Sequence, residues 1–448
     1  MKKIIISKNI FLRDLRISDI NHNYFSWFED NSIKNIIKKN SYRNIDDLKK
    51  YFRNQILNKV IFLGIFVKKS KKNFLHIGNI KFENINYKKN YATLGILIGN
   101  KEFRNIGIGQ EIITKACNWI YNKKNIYLVN LRFSKKNFIA HKVYKKCGFI
   151  IKKIEKNDII MERNYFINKI TIGTANFVNN YNLIKPSCGI KLKNTRSIIK
   201  YSSLIGINSY DTAPYYNSEN ILGRLTKFET TTYTKISFDK NLNFKKKIIN
   251  SINNSLRLLK KKKLDGVLFH NEKDLLMKNR KEIWNLILSL KKKGLIKKIG
   301  VSFYNPKYLI KIVKNFDLDF VQVPVNLFDK RFLDNRIISL LNKKNIEIHA
   351  RSVFLQGLLL NTKLISKKFL KWRSNFDKLN NFLKQKKISN LEACTNFVLQ
   401  NKNLDKVIFG VNSVDHLMQI IKSINLKNIN FNKLKSPKDL KLINPSLW

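Results

Sequence analysis

The chain has 448 residues and a formal charge of +58, from 88 Lys and Arg against 30 Asp and Glu. Its length exceeds what one ordinary core accommodates, so two or three domains are expected. With 44% hydrophobic residues spread along the whole chain, neither half reads as disordered, and no apolar run approaches the roughly 20 residues that span a bilayer.

The first residues, Met1-Lys2-Lys3-Ile4-Ile5-Ile6-Ser7, carry too short an apolar stretch for a secretory signal and read as a first strand. The protein is therefore expected to be cytoplasmic, with no membrane insertion. Cys117, Cys147, Cys188 and Cys394 show no CxxC spacing and no neighbouring histidines, which suits a reducing compartment and offers no metal site. The lysines are spread evenly and come with abundant Asn and Ile but few Gly and Pro. That is a compositional bias rather than the concentrated patch of a nucleic-acid binder, so no specific nucleic-acid partner is expected. The runs at 260–263 and 291–293 read as mostly solvated helix ends.

Strands are predicted at 74–84, 91–98 and 126–133, around one helix at 109–122. Before that helix stands Arg104-Asn105-Ile106-Gly107-Ile108-Gly109-Gln110. Two glycines let the backbone turn tightly, and the free N–H groups of the following helix favour an anion such as a pyrophosphate. A plain tight turn accounts for the loop alone equally well. Further on, Asn137-Phe138-Ile139-Ala140-His141-Lys142-Val143-Tyr144-Lys145-Lys146-Cys147-Gly148-Phe149 reads as a short helix ending at a glycine. The two segments together, R-x-x-G-x-G and then N-x-x-A-x-x-x-Y-x-x-x-G-F, resemble the GNAT superfamily of N-acetyltransferases over about residues 1–165.

The resemblance implies direct transfer from acetyl-CoA to an amine. Arg104, Asn105, Gly107, Ile108 and Gly109 would hold the pyrophosphate, Asn137 would position the pantetheine arm, and Tyr144 would protonate the departing thiolate. Relatives often carry a glutamate base in the strand where this chain has Tyr91-Ala92-Thr93-Leu94-Gly95. Glu83 or a water chain is left to take that role, and His141 reads as a helix-surface residue.

Near residue 166 the pattern changes, with no Gly- or Pro-rich spacer. Strands at 170–174, 208–211, 231–236, 264–269, 298–302, 320–322, 346–349 and 407–409 alternate with amphipathic helices, among them 196–204, 218–225, 245–259 and 280–293. Eight strand–helix units in about 280 residues predict a (β/α)₈ barrel. The fold class is thus α/β in two domains: an α+β domain over 1–166 and a TIM barrel over 167–448.

Catalytic groups of such barrels sit where strands run into their loops. Asp211, Lys235 and His270 end the second, third and fourth strands. A lysine closing an apolar strand needs an anionic neighbour, and Asp211 is the natural one. Tyr216 follows Asp211 in the same loop, where a lysine ammonium lowers a phenol's pKa and makes it a better proton donor to a carbonyl oxygen.

These residues resemble the Asp-Tyr-Lys-His tetrad of the aldo-keto reductases. Further stretches agree: Ile172-Gly173-Thr174-Ala175, Ser218-Glu219-Asn220-Ile221-Leu222-Gly223, Ile299-Gly300-Val301-Ser302, Val321-Gln322-Val323-Pro324-Val325-Asn326, Ala350-Arg351-Ser352-Val353-Phe354-Leu355-Gln356-Gly357 and Phe409-Gly410-Val411-Asn412-Ser413. The resemblance implies that Ser302 and Gln322 bind a nicotinamide carboxamide, Ser352 the pyrophosphate, and Gly410, Asn412 and Gln419 the adenosine end.

Three departures stand out. The Tyr-Gly-x-Ser-Glu run is one residue short, as Tyr216-Asn217-Ser218-Glu219, which leaves Tyr215 as a second candidate for the acid. The usual Ser-Asn is Ser302-Phe303. His416 stands where many relatives place an arginine on the 2′-phosphate, so NADPH is the default cofactor with NADH left open. The reading is a bifunctional enzyme acting on small molecules, with nucleotide-linked amino sugars of surface-glycan synthesis as its substrate class by analogy. Acetylation of protein N-termini, or nucleic-acid binding on degenerate enzyme folds, are the competing readings. Substrate identities and oligomeric state are not legible.

Overall fold

The computed structural model describes residues 4–7, 9–30, 33, 42–70, 73–178, 192–226, 230–236, 243–363, 365–424 and 429–448. Cys188 and the first three residues lie outside them. The chain divides into two compact units, Met1–Tyr165 and Phe166–Trp448.

The first unit is built on one eight-stranded sheet. Its strands are β1 (Ile4–Ile5), β2 (Ile10–Asp14), β3 (Ile61–Lys68), β4 (Phe74–Asn86), β5 (Tyr91–Ile98), β6 (Leu128–Ser134), β7 (Ile150–Ile154) and β8 (Asp158–Asn164). They lie in the order β1-β2-β3-β4-β5-β6-β8-β7, antiparallel except for the β5–β6 pair.

Three helices matter for the site: α1 (Ile45–Leu57), α2 (Ile108–Lys124) and α3 (Phe138–Lys146). The α1 N-terminus is capped by the Asn44 side chain, which accepts from Asp47 N. In α2, Ile112, Ile113, Ala116, Cys117 and Ile120 make one buried stripe, the spacing of a helix with a single apolar face. That stripe packs on Ile80, Phe82, Ala92, Leu94, Val129 and Leu131, which all face one side of the sheet because side chains alternate along a strand. Residues between them, including Lys81, Glu83, Thr93 and Asn130, fall on the other face.

The second unit is a closed barrel of parallel strands: β9 (Ile170–Gly173), β10 (Ser209–Asp211), β11 (Thr231–Ile236), β12 (Gly266–Phe269), β13 (Ile299–Ser302), β14 (Phe320–Pro324), β15 (Glu347–Arg351) and β16 (Lys406–Gly410). β16 closes on β9 with Val407 opposite Ile170. The outer helices are α4 (Leu192–Leu204), α5 (Glu219–Leu225), α6 (Phe244–Leu258), α7 (Arg280–Lys292), α8 (Pro306–Asn315), α9 (Asn335–Lys343), α10 (Arg373–Lys386), α11 (Asn390–Leu399) and α12 (Val414–Lys422). The expected alternation is present throughout, and the boundaries move by a few residues.

The barrel is filled, not hollow. Tyr233, Leu268 and Phe320 form an interior cluster, and the buried His349 ring stacks on Phe320 at 4.7 Å. Below them, residues just before or at the strand starts, with Lys291 from the end of α7, make ion pairs and backbone hydrogen bonds. Lys298 binds Glu347 at 2.7 Å, Lys291 binds Asp319 at 2.5 Å, and Asp405 Oδ2 accepts from Ile348 N at 2.8 Å. Lys169 donates to the Leu399 and Asn401 carbonyls at 2.9 and 2.8 Å, and burial pushes its ammonium pKa down to about 7.

The lysine runs are mostly solvated, as expected, and this collar ties down two of their members. Lys261 is tied to Asp265 at 2.5 Å and to the Thr230 carbonyl, and Lys291 to Asp319. Their neighbours Lys262, Lys263, Lys292 and Lys293 are exposed as expected. Among the described residues no helix is long and apolar enough to cross a membrane. No group of His, Cys, Asp and Glu there is arranged to hold a metal ion.

Candidate active sites

In the first unit the α2 N-terminus is preceded by Asn105 and Gly107 at φ 61° and 86°, a left-handed turn that Gly and Asn tolerate. No side chain caps the helix, so its first N–H groups remain available to an anion. A Cβ added at Gly107 or Gly109 would meet nothing within 4 Å, so the loop faces open space where a phosphate group fits. The Arg104 side chain turns elsewhere: it binds Asp30 at 2.8 Å and donates to the Ile98 and Gly99 carbonyls. Its side chain anchors the loop, which leaves backbone groups to face the open space at the helix start.

β5 and β6 pair only over 91–93 against 128–130, although they run eight and seven residues. Beyond Thr93 their facing edges are unpaired, which leaves backbone groups for an extended amide chain to match, as in strand addition. Asn137 caps α3 by accepting from Ala140 N at 3.0 Å. Tyr144 lies on α3 between Phe133 and Phe149, at 5.2 and 6.0 Å between ring centroids. Burial, with Cys147 nearby, pushes its phenol pKa up to about 12, which keeps the proton on oxygen until a strong base appears.

On the opposite sheet face Glu83 lies across from Thr93, and Thr93 across from Asn130. Glu83 is ion-paired to Lys81 at 2.5 Å, and Lys81 also donates to Tyr51 Oη at 3.2 Å. His141 differs from its reading as a surface residue. Its ring packs 5.8 Å from Phe133, and its buried Nε2 has no partner among the described residues.

In the second unit a cavity of about 770 Å³ opens at the C-terminal ends of the strands. Asp211, Tyr216, Lys235, His270, Ser302, Gln322, Ser352, Gly410, Asn412 and Gln419, every residue assigned to this half from the sequence, line it together. The floor is a buried network. Lys235 Nζ donates to Asp211 Oδ1 at 2.6 Å and to the Thr212 carbonyl at 3.0 Å, and Gln322 Nε2 donates to Asp211 Oδ2 at 2.7 Å. The two charges are thus paired and hydrogen-bonded, the condition for burying them.

Lys235 Nζ stands 5.0 Å from the Tyr216 ring centroid, and Tyr216 is 8% exposed. Tyr215 is 41% exposed, and its hydroxyl lies 3.0 Å from His270 Nε2. Burial, reinforced by Lys235 and Arg351, pushes the His270 pKa down to about 4, so its imidazole is neutral at physiological pH. The shortened tyrosine loop is turned by Asn217 at φ 57°. It is held by Ser218, whose hydroxyl is within 2.8 and 2.9 Å of those of Thr174 and Thr212.

The upper wall is the loop after β15. Ser352, Leu355 and Gln356 all have positive φ, 58°, 47° and 54°, a strain that clusters at functional loops. Asn412 accepts from Asn176 at 2.8 Å. Tyr304 and Arg351 are among the lining residues given no role from the sequence. The Arg351 guanidinium lies 4.0 Å from the Tyr304 ring centroid. The cavity thus brings Ser302 and Gln322 together with Asp211, Tyr216, Lys235 and His270.

The sequence profile of the aldo/keto reductase family matches residues 169–437, more than half of the chain. That of a GNAT acetyltransferase domain matches residues 9–150. A search of curated protein sequences returns no match. Among solved structures, an aldo-keto reductase from Bacillus halodurans in its holo form is similar, at 18% identity and a TM-score of 0.49, over 60% of this chain and 94% of that one. A Pseudomonas aeruginosa protein assigned to the aldo-keto reductases is similar at 20% identity and a TM-score of 0.43, over 57% of this chain and 88% of that one. The chain belongs to the aldo/keto reductase family and carries a GNAT acetyltransferase domain ahead of the barrel, an acetyltransferase and an oxidoreductase in one polypeptide.

Proposed function

We propose that the two units catalyse acetyl-CoA-dependent acetylation of a small-molecule amine and NADPH-dependent reduction of a carbonyl, with NADH as the alternative reductant. The substrates are nucleotide-linked amino sugars and their keto precursors, handled in the cytoplasm. The observation that carries the reductase half is the buried Lys235–Asp211–Gln322 network beneath Tyr216.

Asp211 neutralises Lys235 and fixes where its ammonium points. Lys235 favours the phenolate that Tyr216 becomes as its proton passes to the carbonyl oxygen, which leaves an alcohol. His270, uncharged, orients that oxygen without competing for the proton. Ser302 and Gln322 hold the carboxamide, Ser352 the pyrophosphate, and Gly410, Asn412 and Gln419 the adenosine end. A bound reduced nicotinamide supplies the hydride.

In the first unit, the α2 N-terminus with Asn105, Gly107, Ile108 and Gly109 binds the pyrophosphate of coenzyme A, and Arg104 braces that loop. The open β5–β6 edges receive the pantetheine arm next to Asn137. Tyr144, whose proton is firmly held, gives it to the departing thiolate, and Glu83 takes the amine proton directly or through water.

The test is a mass-spectrometric assay of the full chain with acetyl-CoA, offering nucleotide-linked amino sugars beside N-terminal peptides. Sugar acetylation that disappears in Tyr144→Phe supports the reading. Acetylation of peptides alone replaces it with a protein-modifying role.

A further inference from the structure

The cations lining the reductase cavity are not equivalent. Lys235 is bound to Asp211 at 2.6 Å, and that pair carries no net charge. Arg351, the last residue of β15, lines the same cavity. Among the described residues no carboxylate lies within ion-pair distance of it.

Neutral groups fix its guanidinium instead. It donates to the Phe303 carbonyl at 3.1 Å and to Ser352 Oγ at 3.2 Å, with the Tyr304 ring 4.0 Å away. Phe303 follows Ser302, and the neighbouring strand β14 carries Gln322. A positive charge with no direct ion pair, attracted at longer range by the buried Glu272 carboxylate, is thus bracketed by the residues to which the carboxamide and pyrophosphate are assigned. Its field reaches the tetrad, since Arg351 and Lys235 both help burial to keep His270 neutral.

We infer that Arg351 makes this cavity discriminate between the redox states of its dinucleotide, holding the reduced form more tightly than the oxidised one. The inference rests on the nicotinamide seat proposed above. The two forms share phosphates, riboses and adenine and differ in one respect: the oxidised ring is cationic and the reduced ring is neutral. A nearby guanidinium with no direct ion pair raises the free energy of the oxidised complex alone. A direct contact between Arg351 and the pyrophosphate would instead strengthen both forms equally. Loose binding of the oxidised form also speeds its release after each turnover.

Titration calorimetry of the full chain with NADPH and NADP⁺, and with NADH and NAD⁺ in parallel, tests this. The wild type is expected to bind the reduced form on the order of tenfold more tightly. Arg351→Gln and Arg351→Met should bring the ratio within about threefold, and Arg351→Lys should keep most of it. A wild-type ratio near unity overturns the inference while leaving the seat intact. So does an equal loss of affinity for both forms in Arg351→Gln and Arg351→Met with Arg351→Lys retaining it, which is the phosphate-contact outcome. Failure of every dinucleotide to bind removes the seat and the inference with it.

Discussion

Tyr215 and Tyr216 stand side by side with ring centroids 4.5 Å apart, yet the fold gives them different neighbours. Tyr216 is buried over Lys235, whereas Tyr215 is exposed and reaches His270. A proton donor gains from a fixed cation and exclusion of water, so Tyr216→Phe should lower kcat for NADPH-dependent aldehyde reduction by about 10²-fold or more. Tyr215→Phe should cost about tenfold or less. Steady-state assays of both variants decide between them, and the reverse order moves the acid to Tyr215. His270 yields a second expectation. Its folded pKa, about 4, lies below that of an unfolded histidine, near 6.5. The unfolded chain therefore binds the extra proton first, and His270's contribution to stability is lost as pH falls from about 6.5 to about 4. Urea midpoints across that window should fall less steeply in His270→Gln. A slope unchanged by the substitution would show that this histidine is not buried neutral.

At the scale of elements, α5 crosses the end of α6 so closely that a Cβ at Gly223 would lie 2.0 Å from the Leu258 carbonyl oxygen. Backbone cannot yield as a side-chain tip does, so Gly223→Ala should destabilise the barrel by about 3 kcal/mol. Chemical denaturation monitored by tryptophan fluorescence would measure it. Gly223 stands in the sequence within a family-like stretch, but its reason, a close approach of two helices, exists only in three dimensions. The same division runs through the rest of the molecule. The strand–helix alternation was readable because each strand is an apolar run and each outer helix has one apolar stripe. The meeting of Asp211, Lys235 and His270 in one cavity was readable because they interrupt such runs at their ends. The basal collar was not, since Lys169, Lys298, Asp319, Glu347 and Asp405 look like surface charges until barrel closure sets them against one another. Arg351 was hidden likewise: a cation after an apolar strand carries no mark of lacking a direct ion pair. For Arg104 the motif was visible, but the direction of its side chain towards Asp30 was not.

The whole molecule combines +58 of formal charge with two sites whose proposed ligands are all anionic. A diffuse positive field speeds the arrival of such ligands and is screened by salt. Association of both acetyl-CoA and NADPH should slow on raising ionic strength from about 0.05 to 0.5 M, more than dissociation rises. The cavity of the second unit is lined only by residues from Gly173 onwards, and the loop, splay and tyrosine of the first unit fall before residue 165. Each unit also has its own core, and Tyr144 and Lys235 belong to separate units. Chemistry lost in one unit should therefore leave the other intact. In the full chain, Lys235→Met should abolish aldehyde reduction while acetyl transfer stays within about twofold of wild type. Tyr144→Phe should do the converse, losing about 10²-fold or more in transfer with reduction unchanged. Measuring both activities on both variants forms a crossed design. If either substitution depresses both activities without changing the unfolding midpoint, the units are coupled and do not act as two independent catalysts on one chain.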